Sequence, residues 1–114
     1  QGATIIPDLD IYESTTHILV DVVLPGVSKE AVNVEYDQKT NRILISGEVA
    51  APKHSGEEVK LVRQERPIGK FERVVGLNTQ QIVPEKIQAS FDAGVLSLQV
   101  PKDTKSEEKR KISI

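Results

Sequence analysis

The sequence predicts a single domain built as an antiparallel β-sandwich. The chain has 114 residues, a length that suits one domain with a core of its own. Its apolar residues are mostly β-branched, with 14 Val and 11 Ile against 2 Phe and 2 Tyr, a composition that favours strands. Short alternating segments separated by turn residues recur along the chain, and no segment of useful length has a helical period. This spacing is typical of a sandwich.

Seven segments carry the strand pattern. In chain order they are Leu9–Glu13, His17–Leu24, Val32–Tyr36, Arg42–Glu48, Phe71–Leu77, Lys86–Phe91 and Val95–Val100. The second segment has apolar residues on both sides, which predicts that both of its faces are covered. It ends at Pro25 and Gly26, because proline removes a backbone donor and glycine permits a positive φ.

Turn residues predict where the connections between these strands lie. Ser28–Ala31 predicts one helical turn with Ser28 as its cap. The third segment alternates cleanly between apolar and polar residues, and a polar turn leads from it into the Ile-Leu-Ile centre of the fourth. Gly94 marks a tight connection before the last strand, and Pro101 ends that strand.

Val49–Ile68 does not fit a simple sandwich, because twenty residues separate two strands. Loops of this length are usually functional. The second half contains Val59, Leu61 and Val62 among charged residues, which suits a short isolated strand. Such a strand needs a partner for its backbone groups. A neighbouring subunit is one possibility, and a loop that folds back on its own domain is the other.

The C-terminus is the second unusual segment. Lys102–Lys111 has no apolar side chain and predicts a flexible tether. It ends in Ile112-Ser113-Ile114, where both isoleucines project from the same side of an extended chain. This pattern suggests a docking peptide, and the alternative is a frayed terminus.

Composition argues against several functions. The net charge of −2 disfavours a nucleic-acid or anionic-membrane partner. The absence of Cys excludes a disulfide scaffold, a thiolate metal site and a Cys nucleophile. Only His17 and His54 could act as a neutral-pH base, and neither lies in a catalytic or metal-binding pattern. We therefore expect no catalytic residues, no metal and no cofactor.

Five motifs in the same order and spacing resemble one known family. They are Leu24-Pro25-Gly26-Val27, Arg42–Glu48 ending in Gly-Glu, Gly69-Lys70-Phe71-Glu72-Arg73, Ala89–Leu96 and the terminal Ile112-Ser113-Ile114. Together they resemble the α-crystallin domain of small heat-shock proteins, from about Asp8 to Ile114. Ala93 stands where the family usually has Asn.

The resemblance implies an ATP-independent chaperone, a holdase that binds partly unfolded client proteins in the cytoplasm. It implies an immunoglobulin-like sandwich that forms homodimers and higher homo-oligomers. The long connection resembles the version in which a short strand is exchanged between two subunits. The resemblance therefore assigns Glu58–Arg63 to the exchanged strand, with Val59, Leu61 and Arg63 at the dimer interface, and by position it adds Arg73.

The resemblance also implies a docking groove for the C-terminal Ile-x-Ile. Its predicted lining is Val32, Val34, Ile87 and Ala89, and an extended peptide would bind there by adding a strand to a sheet edge. The pattern of these residues is equally consistent with ordinary core positions, so both interpretations stay open.

The implied organisation is a residual N-terminal segment (residues 1–7), an α-crystallin domain (8–101) and a C-terminal extension (102–114). The family carries a longer N-terminal region, and the absence of Met suggests a piece of a longer chain. The alternative function is a binding module of the same fold that docks on a larger chaperone. Such modules lack the exchanged strand and the Ile-x-Ile, both of which this sequence is expected to have.

Overall fold

The computed structural model describes residues 5–51, 53–54 and 58–104. Within them the chain forms strands and two single turns of 3-10 helix, at Lys29–Ala31 and Pro84–Lys86. The strands are β1 (Leu9–Glu13), β2 (His17–Val23), β3 (Val32–Asp37), β4 (Arg42–Val49), β5 (Gly69–Gly76), β6 (Gln88–Asp92) and β7 (Val95–Pro101). The predicted fold class is confirmed, because the structure is all-β and consists of two antiparallel sheets.

The strands form a four-stranded sheet in the order β1-β2-β7-β6 and a three-stranded sheet in the order β3-β4-β5. Alternate residues of each sheet face the interior. The buried core consists of aliphatic residues and a single aromatic one: Ile18, Val20, Val22, Leu24, Val27, Ile43, Ile45, Phe71, Val75, Leu77, Ile82, Leu96, Leu98 and Val100. The β-branched composition therefore fills the space between two sheets.

The predicted helical turn forms at Lys29–Ala31, but Ser28 caps it differently from the prediction. The Ser28 side chain makes no capping hydrogen bond. Its backbone carbonyl accepts a hydrogen bond from the Ala31 N–H at 3.0 Å instead. A second backbone bond, from the Val32 N–H to the Lys29 carbonyl, completes the short turn.

A short N-terminal strap, residues 5–7, closes one side of the sandwich. Ile5 bonds to the free edge of β5, donating its N–H to the Lys70 carbonyl at 2.8 Å and accepting from the Glu72 N–H at 3.0 Å. Arg73 donates from Nη1 to the Pro7 carbonyl at 2.8 Å. The chain then crosses to the other sheet and begins β1. Since β1 and β5 share this side, the other two edge strands, β3 and β6, lie on the opposite side.

Candidate functional site

The side of the sandwich formed by β3 and β6 is the candidate docking groove. Each of these strands pairs with one neighbour among the described residues, β3 with β4 and β6 with β7. A sheet edge of this kind presents unpaired backbone groups to a further strand. The residues that line the groove are therefore the inner-face residues of two edge strands.

Three of the four predicted groove residues are half-buried. Val32 and Val34 lie on the inner face of β3, Ile87 directly precedes β6, and all three pack against the core. Ala89 is exposed and lies opposite Leu98 on the inner face of β6. Each of the three therefore contributes to the core and remains partly open to solvent, so the two interpretations of the pattern are compatible. Their role as a docking groove stays a prediction.

Two aromatic residues that sequence reasoning did not assign to the groove extend its apolar row. Tyr36 on β3 and Phe91 on β6 are half-buried and pack against the core. The Tyr36 hydroxyl donates to Asn41 Oδ1 at 2.5 Å, which fixes the ring at the end of the strand. The alternation that singled out Val32 and Ile87 also includes these residues, so the pattern contained the signal.

Residues Glu58–Arg63, which we call the arm segment, lie outside both sheets. Their apolar side chains are strongly exposed, at 52% for Val59, 65% for Leu61 and 89% for Val62. Arg63 makes an exposed ion pair with Glu65 at 3.2 Å. The predicted strand does not form within the single chain, where no sheet edge is paired with this segment. Its assignment to subunit exchange, with Val59, Leu61 and Arg63 at the interface, stays a prediction.

The outer edge of β1 is a further candidate surface, and sequence reasoning did not identify it. The Val23 N–H donates to the Asp8 carbonyl and the Ser14 N–H donates to the His17 carbonyl. Because hydrogen-bonded residues alternate in an antiparallel pair, the even-numbered residues of β1 bond to β2. The backbone groups of Leu9, Ile11 and Glu13 therefore point outward, toward an incoming strand.

Exposed side chains accompany this edge. Ile11 is 52% exposed and Tyr12 is 54% exposed. Ile11 also lines an open, mostly polar cleft, in which apolar residues such as Ile18 and Leu77 lie beside polar ones such as Asn78. The edge therefore offers both backbone groups and apolar surface.

Arg73 lies on β5 opposite Ile45, on the inner side of the sheet. Its bond to the Pro7 carbonyl gives it a partner within its own chain. A guanidinium in this position links the strap to the sheet. Its predicted place at a dimer interface stays a prediction, and the structure adds this role within the chain.

The C-terminal extension leaves the sandwich beside the β1–β2 turn. Lys102 donates its N–H to the Thr16 carbonyl at 2.8 Å, and its Nζ pairs with Glu13 at 2.5 Å. The Asp103 N–H donates to the Gln81 carbonyl at 2.9 Å. The first two residues of the predicted extension are thus bonded to the domain. Ile112 and Ile114 lie outside the described residues.

Residues that could support catalysis or bind a metal are few in the part of the chain that the structure describes. His17 Nδ1 lies 2.8 Å from the Thr16 hydroxyl, and His54 is exposed in the long connection. No cluster of three or more His, Asp or Glu that could hold a metal ion occurs among the described residues. None of the described helices is long and apolar enough to span a membrane. The arrangement is that of a β-sandwich whose edges can take up additional strands.

Comparison with known proteins identifies the family of this chain. The family model described as "Hsp20/alpha crystallin family" matches residues 10–114. Heat shock protein 16 of Schizosaccharomyces pombe is 38% identical over 109 residues, which cover 95% of this chain and 74% of that protein. Heat shock protein 26 of Saccharomyces cerevisiae is 36% identical over 96 residues, which cover 82% of this chain and 45% of that protein.

Solved structures agree. Heat shock protein 16.0 from S. pombe superposes with a TM-score of 0.81 at 36% identity, covering 96% of this chain and 98% of that one. A small heat-shock protein from Xylella fastidiosa gives a TM-score of 0.75 at 30% identity, covering 98% of both chains. The chain belongs to the Hsp20/alpha crystallin family, which confirms the resemblance read from the five motifs. Membership supports a chaperone role and not an enzymatic one.

Proposed function

We propose that this protein is an ATP-independent holdase, which binds partly unfolded clients and assembles through strand exchange and docking of its tail in the groove. The observation that carries the proposal is the pair of edge strands, β3 and β6, whose inner-face apolar residues are half-buried and partly open. A client with an exposed extended segment could add a strand there. The backbone would supply affinity without sequence specificity, which suits a protein with many clients.

The tail of a neighbouring subunit is the proposed occupant of the groove when clients are absent. Burying the two isoleucines Ile112 and Ile114 contributes about 1.5–3 kcal/mol each, and each backbone hydrogen bond adds about 1 kcal/mol. Association costs an estimated 4–15 kcal/mol. A single contact is therefore marginal, and a stable assembly needs several contacts acting together. A contact of this strength can open and expose the groove to a client.

The dimer is proposed to form when the arm segment of one subunit pairs with an edge of its partner. The outer edge of β1 is the proposed acceptor, because its outward backbone groups accompany the exposed side chains of Ile11 and Tyr12. Pairing would bury part of the apolar surface that Val59, Leu61 and Val62 expose in the single chain. It would also satisfy the backbone of a segment that lies outside both sheets.

The holdase activity is tested by heating an aggregation-prone client without ATP and measuring light scattering. We expect the protein to suppress scattering at ratios near one subunit per client, and added ATP to change nothing. A scattering curve identical to that of the client with an inert protein of similar size would contradict the proposal. Suppression that required ATP would contradict it as well.

A further inference from the structure

Asn41 links the two sides of the groove at one of its ends. Its Oδ1 accepts from the Tyr36 hydroxyl, and its Nδ2 donates to the Asn78 and Gln80 carbonyls, both at 2.9 Å. Its own carbonyl accepts from the Leu77 N–H at 3.0 Å. The first of these partners belongs to β3, and the other three belong to the connection that leads from β5 to β6. A single residue therefore joins one groove strand to the connection that carries the other.

The backbone and the side chain at this position both suit Asn. Asn41 has a φ of 55°, in the left-handed region that Asn adopts more readily than most residues. A carboxamide offers both an acceptor oxygen and N–H donors, and this network uses both kinds of group. Gly would keep the backbone conformation and lose every side-chain bond. The position therefore separates the effect of the network from the effect of the turn.

The connections at the two ends of the sandwich show which groove residues lie near this network. The connection from β2 to β3 is bonded to the turn between β6 and β7, by a backbone hydrogen bond of 2.7 Å. Val32 at the start of β3 and Phe91 near the end of β6 therefore lie at that end of the groove. The connection that Asn41 holds runs on to Ile87. Ile87 and Tyr36 therefore lie at the opposite end, beside the network.

We propose that Asn41 holds the Tyr36 ring as an end wall of the groove, and that this wall decides which side chains the groove accepts. Because β3 and β6 belong to different sheets, no common ladder of hydrogen bonds fixes the distance between them. The Tyr36 ring is half-buried against the core, and its hydroxyl is bonded to Asn41 at 2.5 Å. A ring fixed at both its body and its hydroxyl cannot move aside for a larger occupant. The inference rests on the tail docking proposed above and adds what sets its specificity.

The end wall favours an aliphatic side chain over an aromatic one. The proposed occupants are Ile112 and Ile114 from the tail of a second copy. Forcing a larger side chain into a closed apolar site is destabilising, because neighbouring groups must leave their preferred positions. Phe in place of the isoleucine nearest Tyr36 should therefore bind on the order of tenfold more weakly than Ile. This difference should shrink when the ring is released or removed, because the space it leaves admits the larger side chain.

Peptide binding tests the end wall. The protein is the full chain carrying Ile112→Gly and Ile114→Gly, so that its own tail does not compete for the groove. The probes are a labelled peptide of residues 109–114 and its Ile112→Phe and Ile114→Phe forms, and fluorescence anisotropy gives the three dissociation constants. We expect one Phe peptide to bind about tenfold more weakly than the Ile peptide. Tyr36→Phe and Asn41→Gly, which each remove the hydroxyl–amide bond, should reduce this ratio by roughly threefold or more.

Asn78→Gly is the matched control. It makes the same replacement at another positive φ, of 57°, and it keeps the Asn78 carbonyl that accepts from Asn41. This variant should retain the ratio of the unmodified groove. The ratio is the decisive quantity, because a merely structural loss would weaken all three peptides in the same proportion. Tyr36→Phe combined with Asn41→Gly should change the ratio no more than Asn41→Gly alone, since both act through one bond.

The outcomes separate the end wall from the docking itself. A smaller ratio in Tyr36→Phe and Asn41→Gly, with Asn78→Gly unchanged, supports the proposal. Equal or tighter binding of both Phe peptides by the unmodified groove, or a ratio that neither Tyr36→Phe nor Asn41→Gly changes, overturns the end wall and leaves the docking in place. No binding of any of the three peptides overturns the docking and the end wall together. Circular dichroism checks that each variant is folded, and both decisive variants keep the aromatic ring.

Discussion

At the scale of single residues, Gly47 on β4 shows why a Gly follows the Ile-Leu-Ile strand. Gly47 lies opposite Val32 on one side and Phe71 on the other. A Cβ placed on Gly47 would lie 2.5 Å from Phe71 Cζ and would also clash with the Ala31 carbonyl oxygen. The aromatic ring of the core therefore occupies the space that any other side chain would need.

Gly47→Ala should destabilise the domain by about 2–3 kcal/mol, because the core must shift to admit one methyl group. Urea unfolding measures the change. Gly76→Ala is the matched control, since a Cβ at this position of β5 meets no atom within 4 Å. Equal stability of the Gly47 and Gly76 variants would contradict the close approach of the Phe71 ring.

Ala93 is a second residue at which the backbone conformation favours particular amino acids. Ala93 and Gly94 form the two-residue turn between β6 and β7, with φ values of 54° and 79°. A hairpin turn with positive φ at both positions favours Asn-Gly. At this positive φ the steric cost is higher for Ala than for Asn. This difference is a physical reason for the Asn that the family usually has at this position.

Ala93→Asn should therefore stabilise the domain by about 0.5–1 kcal/mol. Thermal unfolding monitored by circular dichroism gives the change. Ala50→Asn is the control, because Ala50 is exposed and its φ is not positive. A melting temperature that falls in the Ala93 variant would contradict the turn geometry.

At the scale of elements, two neighbouring residues of β6 allow docking in the groove to be tested separately from the stability of the domain. Ala89 and Ser90 are adjacent and both exposed, but they project from opposite faces of the strand. Ala89→Glu places a charge in the groove, while Ser90→Glu places the same charge outside it. Both changes are at exposed positions, so neither should alter stability by more than about 0.5 kcal/mol.

The Ala89 variant should form smaller assemblies than the wild type, and the Ser90 variant should not. Size-exclusion chromatography with multi-angle light scattering measures both. If the two variants gave the same distribution of sizes, the groove would not be the docking surface.

Strand positions were predictable to within about two residues, because apolar alternation and turn residues are local signals. Leu9–Glu13 was predicted with its observed bounds. Edge status was harder to predict, since it depends on which strands pair across the molecule. The strap at Ile5 and the outward backbone of β1 arise from tertiary contacts that no local pattern contains. The residues of the candidate groove could be predicted from the sequence, because β3 and β6 show the same alternation of apolar and polar residues.

The arm segment illustrates the limit of local reasoning in a different way. Its apolar residues indicate a strand, yet in the single chain Glu58–Arg63 lies outside both sheets. A strand requires a partner for its backbone. The pattern therefore reports a property of an assembly, and the strand is expected only when two copies meet.

At the scale of the whole molecule, the tail is expected to link dimers into larger assemblies. Replacing both Ile112 and Ile114 by Gly should leave dimers as the main species, because the side chains that fill the groove are removed. Ser113→Gly is the control, since Ser113 projects from the opposite side of an extended tail. Unchanged assemblies in the double variant would contradict the docking assignment. A strict monomer at high concentration, even for the wild type, would favour a module that docks on a larger chaperone.

The central claim is that one groove, between β3 and β6, binds both the tail and clients. Amide chemical shifts of the full chain carrying Ile112→Gly and Ile114→Gly, titrated with a peptide of residues 109–114, test it most directly. We predict shift changes concentrated at Val32–Tyr36 and Ile87–Phe91, which an extended client segment then displaces in competition. Changes confined to another face, or a client that binds elsewhere while the peptide stays in place, would contradict the account.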